Sequence, residues 1–172
     1  GRRITAPKNL PVRPTTDLAK ESLFNILNNH YYFDSISVVD LFSGTGNISY
    51  EFASRGTNQI TAVDEDFGCI KFINETAESF NMSINTIKND VFKFLETSTL
   101  KATIIFADPP YAYKDEQFAK IHELIFTGSK LENDGLFIIE HSKHTNLSQL
   151  SYFSYSKSYG GNMFSFFEYP QN

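Results

Sequence analysis

An α/β fold, built on a doubly wound and mostly parallel seven-stranded sheet that closes with an antiparallel hairpin, is what this sequence predicts. Three observations carry that expectation. From residue 36 onward, five short apolar runs alternate with amphipathic stretches. Those runs are continuous in Val, Ile and Phe, as strands covered on both faces require. Finally, residues 153–169 read as two strands joined through Gly160-Gly161-Asn162, a hairpin signature.

Taken in order, residues 1–14 hold three of the six prolines and little periodicity. They are expected to form a basic N-terminal arm, with a short strand at its start, ahead of one globular domain over 15–172. Pro14-Thr15-Thr16-Asp17 supplies capping chemistry and early negative charge. Ala19, Leu23, Ile26 and Leu27 then recur at helical spacing up to Asn28-Asn29. Strands are predicted at 37–41, 59–63, 84–88, 103–107 and 136–140. Helices between them at about 47–55, 67–80, 91–96 and 116–127 give βαβ units with right-handed crossovers. The hairpin strands are expected at 153–159 and 163–169, with their Phe and Tyr residues packing the core.

Charge and cysteine content narrow the function classes. A net charge of −5 and a pI near 5.3 argue against coating nucleic acid by bulk charge. The distribution is uneven: residues 1–20 carry +4, from Arg2, Arg3, Lys8, Arg13 and Lys20 against Asp17, which leaves −9 on the remainder. A polyanion is therefore expected to approach the arm. A lone Cys69 cannot close an internal disulfide, and no apolar run approaches the ~20 residues needed to span a bilayer. These features predict a soluble, cytoplasmic chain without a membrane partner. His141 and His144 lack a third nearby ligand, so no metal is expected.

The chemistry concentrates at the predicted carboxyl ends of strands. Asp40-Leu41-Phe42-Ser43-Gly44-Thr45-Gly46 runs from a strand into a glycine turn before a helix. Ser49 stands where a dinucleotide fingerprint has its third glycine. Asp40 ahead of the turn would repel phosphate but suits a cationic amino-acid group, so the turn is expected to bind S-adenosylmethionine through Asp40, Phe42, Gly44 and Gly46. Asp64 ends the next strand, where ribose hydroxyls would donate to it. Asp90 ends the third and suits an adenine amine, with Val91 or Phe92 packing the ring; Asp66 is a further candidate. Each aspartate is equally a favoured helix cap.

The fourth strand runs directly into Asp108-Pro109-Pro110-Tyr111. The prolines stiffen this loop and remove amide donors, leaving acceptors for an exocyclic amine. With Asp108 and the Pro109 carbonyl accepting the amine hydrogens, the nitrogen lone pair is drawn out of the ring toward a methyl donor, and Tyr111 stacks on the base. Asp108 also borders the cofactor. Tyr113 and Lys114, just beyond, are expected to contact substrate on a mobile segment.

Asp-Pro-Pro-aromatic after a fourth strand resembles the amino-methyltransferases of the Rossmann-like class I S-adenosylmethionine-dependent fold. Val12-Arg13-Pro14-Thr15-Thr16-Asp17 followed by Glu21-Ser22-Leu23-Phe24-Asn25-Ile26-Leu27, the Asp40–Gly46 turn, Asp64, Asp90, Asp108–Tyr111 and Phe137-Ile138-Ile139-Glu140 together resemble the RsmD-type 16S ribosomal RNA guanine-N2 methyltransferases over nearly the whole chain. That resemblance implies methylation of a guanine amine in 16S ribosomal RNA, within a small-subunit assembly particle. It places Arg13, Thr15 and Thr16 beside the catalytic cleft, facing the cofactor or the RNA, while Arg2, Arg3 and Lys8 suit phosphate contacts by their charge. Such enzymes carry a basic hairpin ahead of the Gly-Arg-Arg segment, so the arm here is expected to be a shortened one. The residues alone leave three rivals open: methylation of DNA adenine or protein glutamine, a nicotinamide-dependent oxidoreductase, and a cofactor-binding module without catalysis.

Overall fold

The structure is a computed structural model and describes residues 4, 5, 7 and 16–171. Arg2, Arg3, Lys8, Arg13 and Thr15 lie outside the described residues. Among the described residues the first elements are α1 (Asp17–Asn28) and a 3-10 turn at Phe33–Ser35. The chain then alternates β1 (Ser37–Leu41), α2 (Asn47–Ser54), β2 (Gln59–Asp64), α3 (Phe67–Ser79), β3 (Ile84–Lys88), α4 (Val91–Thr97), β4 (Ala102–Ala107), α5 (Asp115–Thr127) and β5 (Leu131–Ser142). The hairpin β6 (Phe153–Tyr159) and β7 (Asn162–Phe167) follows.

These strands form one seven-stranded sheet in the order β3-β2-β1-β4-β5-β7-β6. The first five pair in parallel, and β7 pairs antiparallel with both β5 and β6. This is the predicted methyltransferase variant of the Rossmann-like fold. Alternate residues of each strand serve opposite faces. On one face Val38, Ile60, Ile104, Phe106, Ile138, Phe164 and Phe166 bury against α1 and α2. On the other, Val39, Leu41, Val63, Ile105, Phe137 and Phe167 bury against α4 and α5. α3 lies with α2, its Ile73 packing on Tyr50 and Ala62. The chain leaves β1 for β2 on one side and reaches β4 on the other, so a topological switch point lies between β1 and β4.

α1 begins where the capping residues predicted: Thr16 Oγ1 accepts from the Ala19 amide at 3.3 Å. Its buried stripe of Ala19, Leu23, Phe24 and Leu27 faces the sheet, with Phe24 edge-on to Phe52 at 4.7 Å. β5 departs from expectation. It starts at Leu131 rather than 136, because Leu131 pairs with Ala102 and the strand then bulges before Leu136 pairs with Ile104. The polar residues Glu132, Asn133 and Asp134 hid this start. The bulge is held by the Tyr31 hydroxyl donating to the Asp134 carbonyl at 2.7 Å and by Gln171 Nε2 donating to the Asn133 carbonyl at 2.9 Å. Among the described residues no helix is long and apolar enough to cross a membrane.

Candidate active site

The glycine turn is built from β1 outward. Phe42 takes φ 57°, Gly44 φ 55° and Gly46 φ 90°. A bulky residue in the left-handed region is strained and persists only where its surroundings hold it. They do so here: the Ser43 amide donates to the Val63 carbonyl at 3.0 Å and the Gly46 amide to the Ser43 carbonyl at 2.9 Å. Gly46 has no substitute, because a Cβ there would lie 2.7 Å from Tyr50 Cζ and 2.9 Å from Ile73 Cγ1. Ser43 Oγ, inside this turn, is buried and has no hydrogen-bond partner among the described residues.

Asp40 lies beneath the turn at 2% exposure, and Ser49 Oγ donates to its Oδ2 at 2.7 Å. Burial first, and the Asp64 carboxylate to a smaller extent, push the Asp40 acid up to about 7; the Ser49 bond opposes them. The position that departs from the dinucleotide fingerprint therefore holds the carboxylate. Asp64, at the end of β2, accepts from the Gly44 amide at 2.8 Å and from the Asp66 amide at 2.9 Å. Burial raises its acid, while those amide bonds lower it. Asp64 thus ties the glycine turn to the neighbouring strand end.

Asp90 is the N-cap of α4, accepting from the Lys93 amide at 3.0 Å, and Asp66 is the N-cap of α3, accepting from the Cys69 amide at 2.9 Å. Val91 is buried in the core with Phe94 and Leu95, whereas Phe92 is only partly buried. Of the two residues offered for packing an adenine, Phe92 is the one with a free edge.

Asp108-Pro109-Pro110-Tyr111 sits next to the glycine turn. The Asp108 amide reaches the Leu41 carbonyl at 3.5 Å, and the Tyr113 amide donates to the Pro110 carbonyl at 3.0 Å, closing a turn. Asp108 is half-buried and Pro109 buried, while Pro110 and Tyr111 are exposed; Tyr111 shows 71% of its surface. Tyr113, expected beside the substrate, is half-buried here. Its ring packs inward, edge-on to Phe42 at 5.7 Å, stacked on Phe92 at 6.0 Å and edge-on to Phe118 at 6.4 Å. The Pro110–Tyr113 turn redirects the chain and hides an apolar ring that would otherwise meet water.

The strand order thus brings together Asp90, Asp64, the glycine turn over Asp40, and Asp108 along one rim of the sheet, the carboxyl end where open α/β sheets bind ligands. The sequence profile of the family described as "Conserved hypothetical protein 95" matches residues 1–168. The chain belongs to this RsmD-type family. The Bacillus subtilis relative named "Putative rRNA methyltransferase YlbH" is 32% identical, the match covering 87% of this chain and 82% of that one. "Ribosomal RNA small subunit methyltransferase D" of Escherichia coli K12 is 26% identical over 77% of this chain and 72% of its own length. The Escherichia coli structure solved as "Putative methyltransferase yhhF" has the same fold, with a TM-score of 0.84 at 22% identity, covering 97% of this chain and 91% of that one.

Within this RsmD-type chain, the sequence did not mark Ser43 or Ser49 as site residues, and it offered Tyr113 to the substrate rather than to Phe42 and Phe92. Ser49 left a signal, since its hydroxyl replaces a glycine expected of another ligand class. Ser43 and Tyr113 left none, because their roles depend on backbone turns. Two buried histidines are held within the fold. His141 Nε2 lies 2.6 Å from Ser165 Oγ and His122 Nε2 2.7 Å from the Ser151 carbonyl. Burial lowers both imidazoles below their ordinary range. Among the described residues no group of three His, Cys, Asp or Glu side chains is placed to hold a metal ion.

Proposed function

We propose that this chain transfers a methyl group from S-adenosylmethionine to the exocyclic N2 amine of a guanine in 16S ribosomal RNA, on a small-subunit assembly particle in the cytoplasm. The observation that carries the reading is the juxtaposition of an Asp-Pro-Pro-Tyr turn with a glycine turn whose floor is a buried carboxyl. Ribosomal RNA as the substrate is supported by the named functions of the relatives.

The residues present fit the cofactor. Asp40 is a buried acid bonded to the Ser49 hydroxyl, Ser43 Oγ is a buried hydroxyl lacking a partner among the described residues, and Gly44 and Gly46 leave backbone bare of side chains. S-adenosylmethionine supplies, when bound, an electrophilic methyl on a sulfonium. Asp40 and Ser43 would hold its amino-acid end, Phe42, Gly44 and Gly46 its centre, Asp64 its ribose, and Asp90 with Val91 and Phe92 its adenine. Asp108 and the Pro109 carbonyl accept the hydrogens of the guanine amine and orient its lone pair, and Asp108 takes the proton that leaves. Pro110 fixes the turn, and exposed Tyr111 offers a face to an extruded base. In this reading residues 15–172 work as one methyltransferase domain. Arg2, Arg3, Lys8, Arg13 and Thr15 of the arm, with Thr16 at the head of α1, meet RNA phosphates.

The test is labelled-methyl transfer to small-subunit particles and to naked ribosomal RNA, with duplex DNA and glutamine-bearing protein as controls. Asp108→Ala is expected to keep its affinity for S-adenosylhomocysteine in calorimetry while turnover falls by at least about 100-fold. Unchanged turnover removes the role given to Asp108. Transfer to DNA or protein but not to RNA overturns the substrate.

A further inference from the structure

We propose that Tyr113 closes the nucleobase end of the cofactor site, so that one short segment carries both the amine-presenting turn and a wall of the cofactor pocket. The inference rests on the methyltransferase reading above and deepens it. Tyr113 lies two residues beyond the Asp-Pro-Pro-Tyr tetrapeptide, and its amide is bonded to the Pro110 carbonyl at 3.0 Å. Its ring meets Phe42 of the glycine turn at 5.7 Å and Phe92 of the β3–α4 junction at 6.0 Å. These three rings come from three different strand ends. Although β3 and β4 are separated in the sheet by β2 and β1, the helices that follow them, α4 and α5, are neighbours on one face, so Phe92 and Tyr113 meet where that helix pair begins, against the core that Phe42 also packs on. The Tyr113 hydroxyl lies within electrostatic reach of Asp90 and Glu65, the acids just past β3 and β2, where adenine and ribose are assigned.

Each ring has a reason to be there. Phe42 is strained at φ 57°, so its direction is imposed by the turn rather than chosen by the side chain. Phe92 is partly buried beside a buried Val91, so it packs on the core while part of its ring stays open. Tyr113 stacks on Phe92 with 28° between the planes, an arrangement into which a flat heterocycle can be added as a further layer. A nucleobase bound there is held partly by the segment that presents the target amine, so cofactor occupancy steadies the Pro110–Tyr113 turn.

The chain contains no tryptophan, so Tyr113→Trp introduces a single fluorescent reporter at the proposed wall. S-adenosylhomocysteine and adenosine are expected to change its emission, and methionine is expected to leave it unchanged. Calorimetry on the intact chain supplies the second arm. Tyr113→Ala is expected to bind S-adenosylhomocysteine about tenfold more weakly, the scale of one base–aromatic stack. Tyr113→Phe should stay within about twofold, because the ring face and not the hydroxyl makes the contact. Wild type that binds S-adenosylhomocysteine, alongside Tyr113→Ala of equal affinity or a Tyr113→Trp emission indifferent to adenosine, overturns the wall. Wild type that fails to bind overturns the cofactor reading itself. If Tyr113→Ala does not fold, the tryptophan variant decides.

Discussion

A carboxyl group with 2% exposure, held by the Ser49 hydroxyl and backbone beneath a glycine turn, behaves unlike an ordinary aspartic acid. Asp40 rises from its ordinary 3.8 to about 7, mainly through burial. Because the folded value lies above the unfolded one, the native state holds a proton that the unfolded chain releases. The stability linked to that proton is full below about pH 4 and is lost as pH rises toward about 7. Asp40→Asn is expected to melt increasingly above wild type as pH is raised from about 5 to 8, in thermal scans of the cofactor-free protein. If a cationic amino group is the missing partner, its binding pulls the Asp40 acid down and expels the proton. Calorimetric enthalpies near neutral pH should then depend on the buffer's own ionisation heat, and affinity should rise with pH. Buffer-independent enthalpy would remove Asp40 from the cofactor site. Asp40, Asp64, Asp90 and Asp108 were all legible as residues, since carboxylates at successive strand ends stand out in a sequence. That Asp90 caps α4 was one of the two readings its position allowed, whereas that Asp64 pins Gly44 required the hydrogen-bond partners to be seen.

At the scale of elements, two glycines show what the turns demand. Gly46 combines φ 90° with a Cβ position blocked by Tyr50 and Ile73. Gly135, in the bulge of β5, lacks a positive φ, but its Cβ would lie 2.5 Å from the Thr103 carbonyl oxygen. Either glycine changed to alanine is expected to cost about 1–3 kcal/mol in chemical denaturation, through overpacking, with backbone strain added at position 46. Truncating Tyr50 in the Gly46→Ala background should recover only part of the loss, because the strained φ remains. Full recovery would show that the clash alone matters. The glycine turn was readable from its spacing. The bulge was not: Glu132-Asn133-Asp134 looks like a loop, and it becomes strand only because Leu131 pairs with Ala102 and the Tyr31 hydroxyl accounts for the Asp134 carbonyl.

Over the whole molecule, the core is two apolar layers divided by the sheet. Phe164, Phe166 and Phe167 of the last strand are completely buried between them, which makes the C-terminal hairpin part of the same cooperative unit as the rim. Cys69 reports on that unit. It is buried at the head of α3, and its thiol is pushed up to about 12 by burial first and then by the nearby Asp64 and Asp66. At neutral pH the native thiol is expected to resist thiol reagents, labelling only at the rate of structural opening, and S-adenosylhomocysteine should slow that rate further. Rapid labelling in the native state would show that α3 opens locally.

What the sequence determined by itself is the order of strands and helices, the sheet's antiparallel close, and which carboxylates and prolines stand at strand ends. Those follow from local periodicity and turn chemistry, which adjacent residues encode. Only the tertiary structure decided that Ser49 steadies Asp40, that β5 reaches back to Leu131, and that Tyr113 folds onto Phe42 and Phe92. Each depends on a contact between distant segments, and sequence periodicity carries no record of which face a distant neighbour will cover.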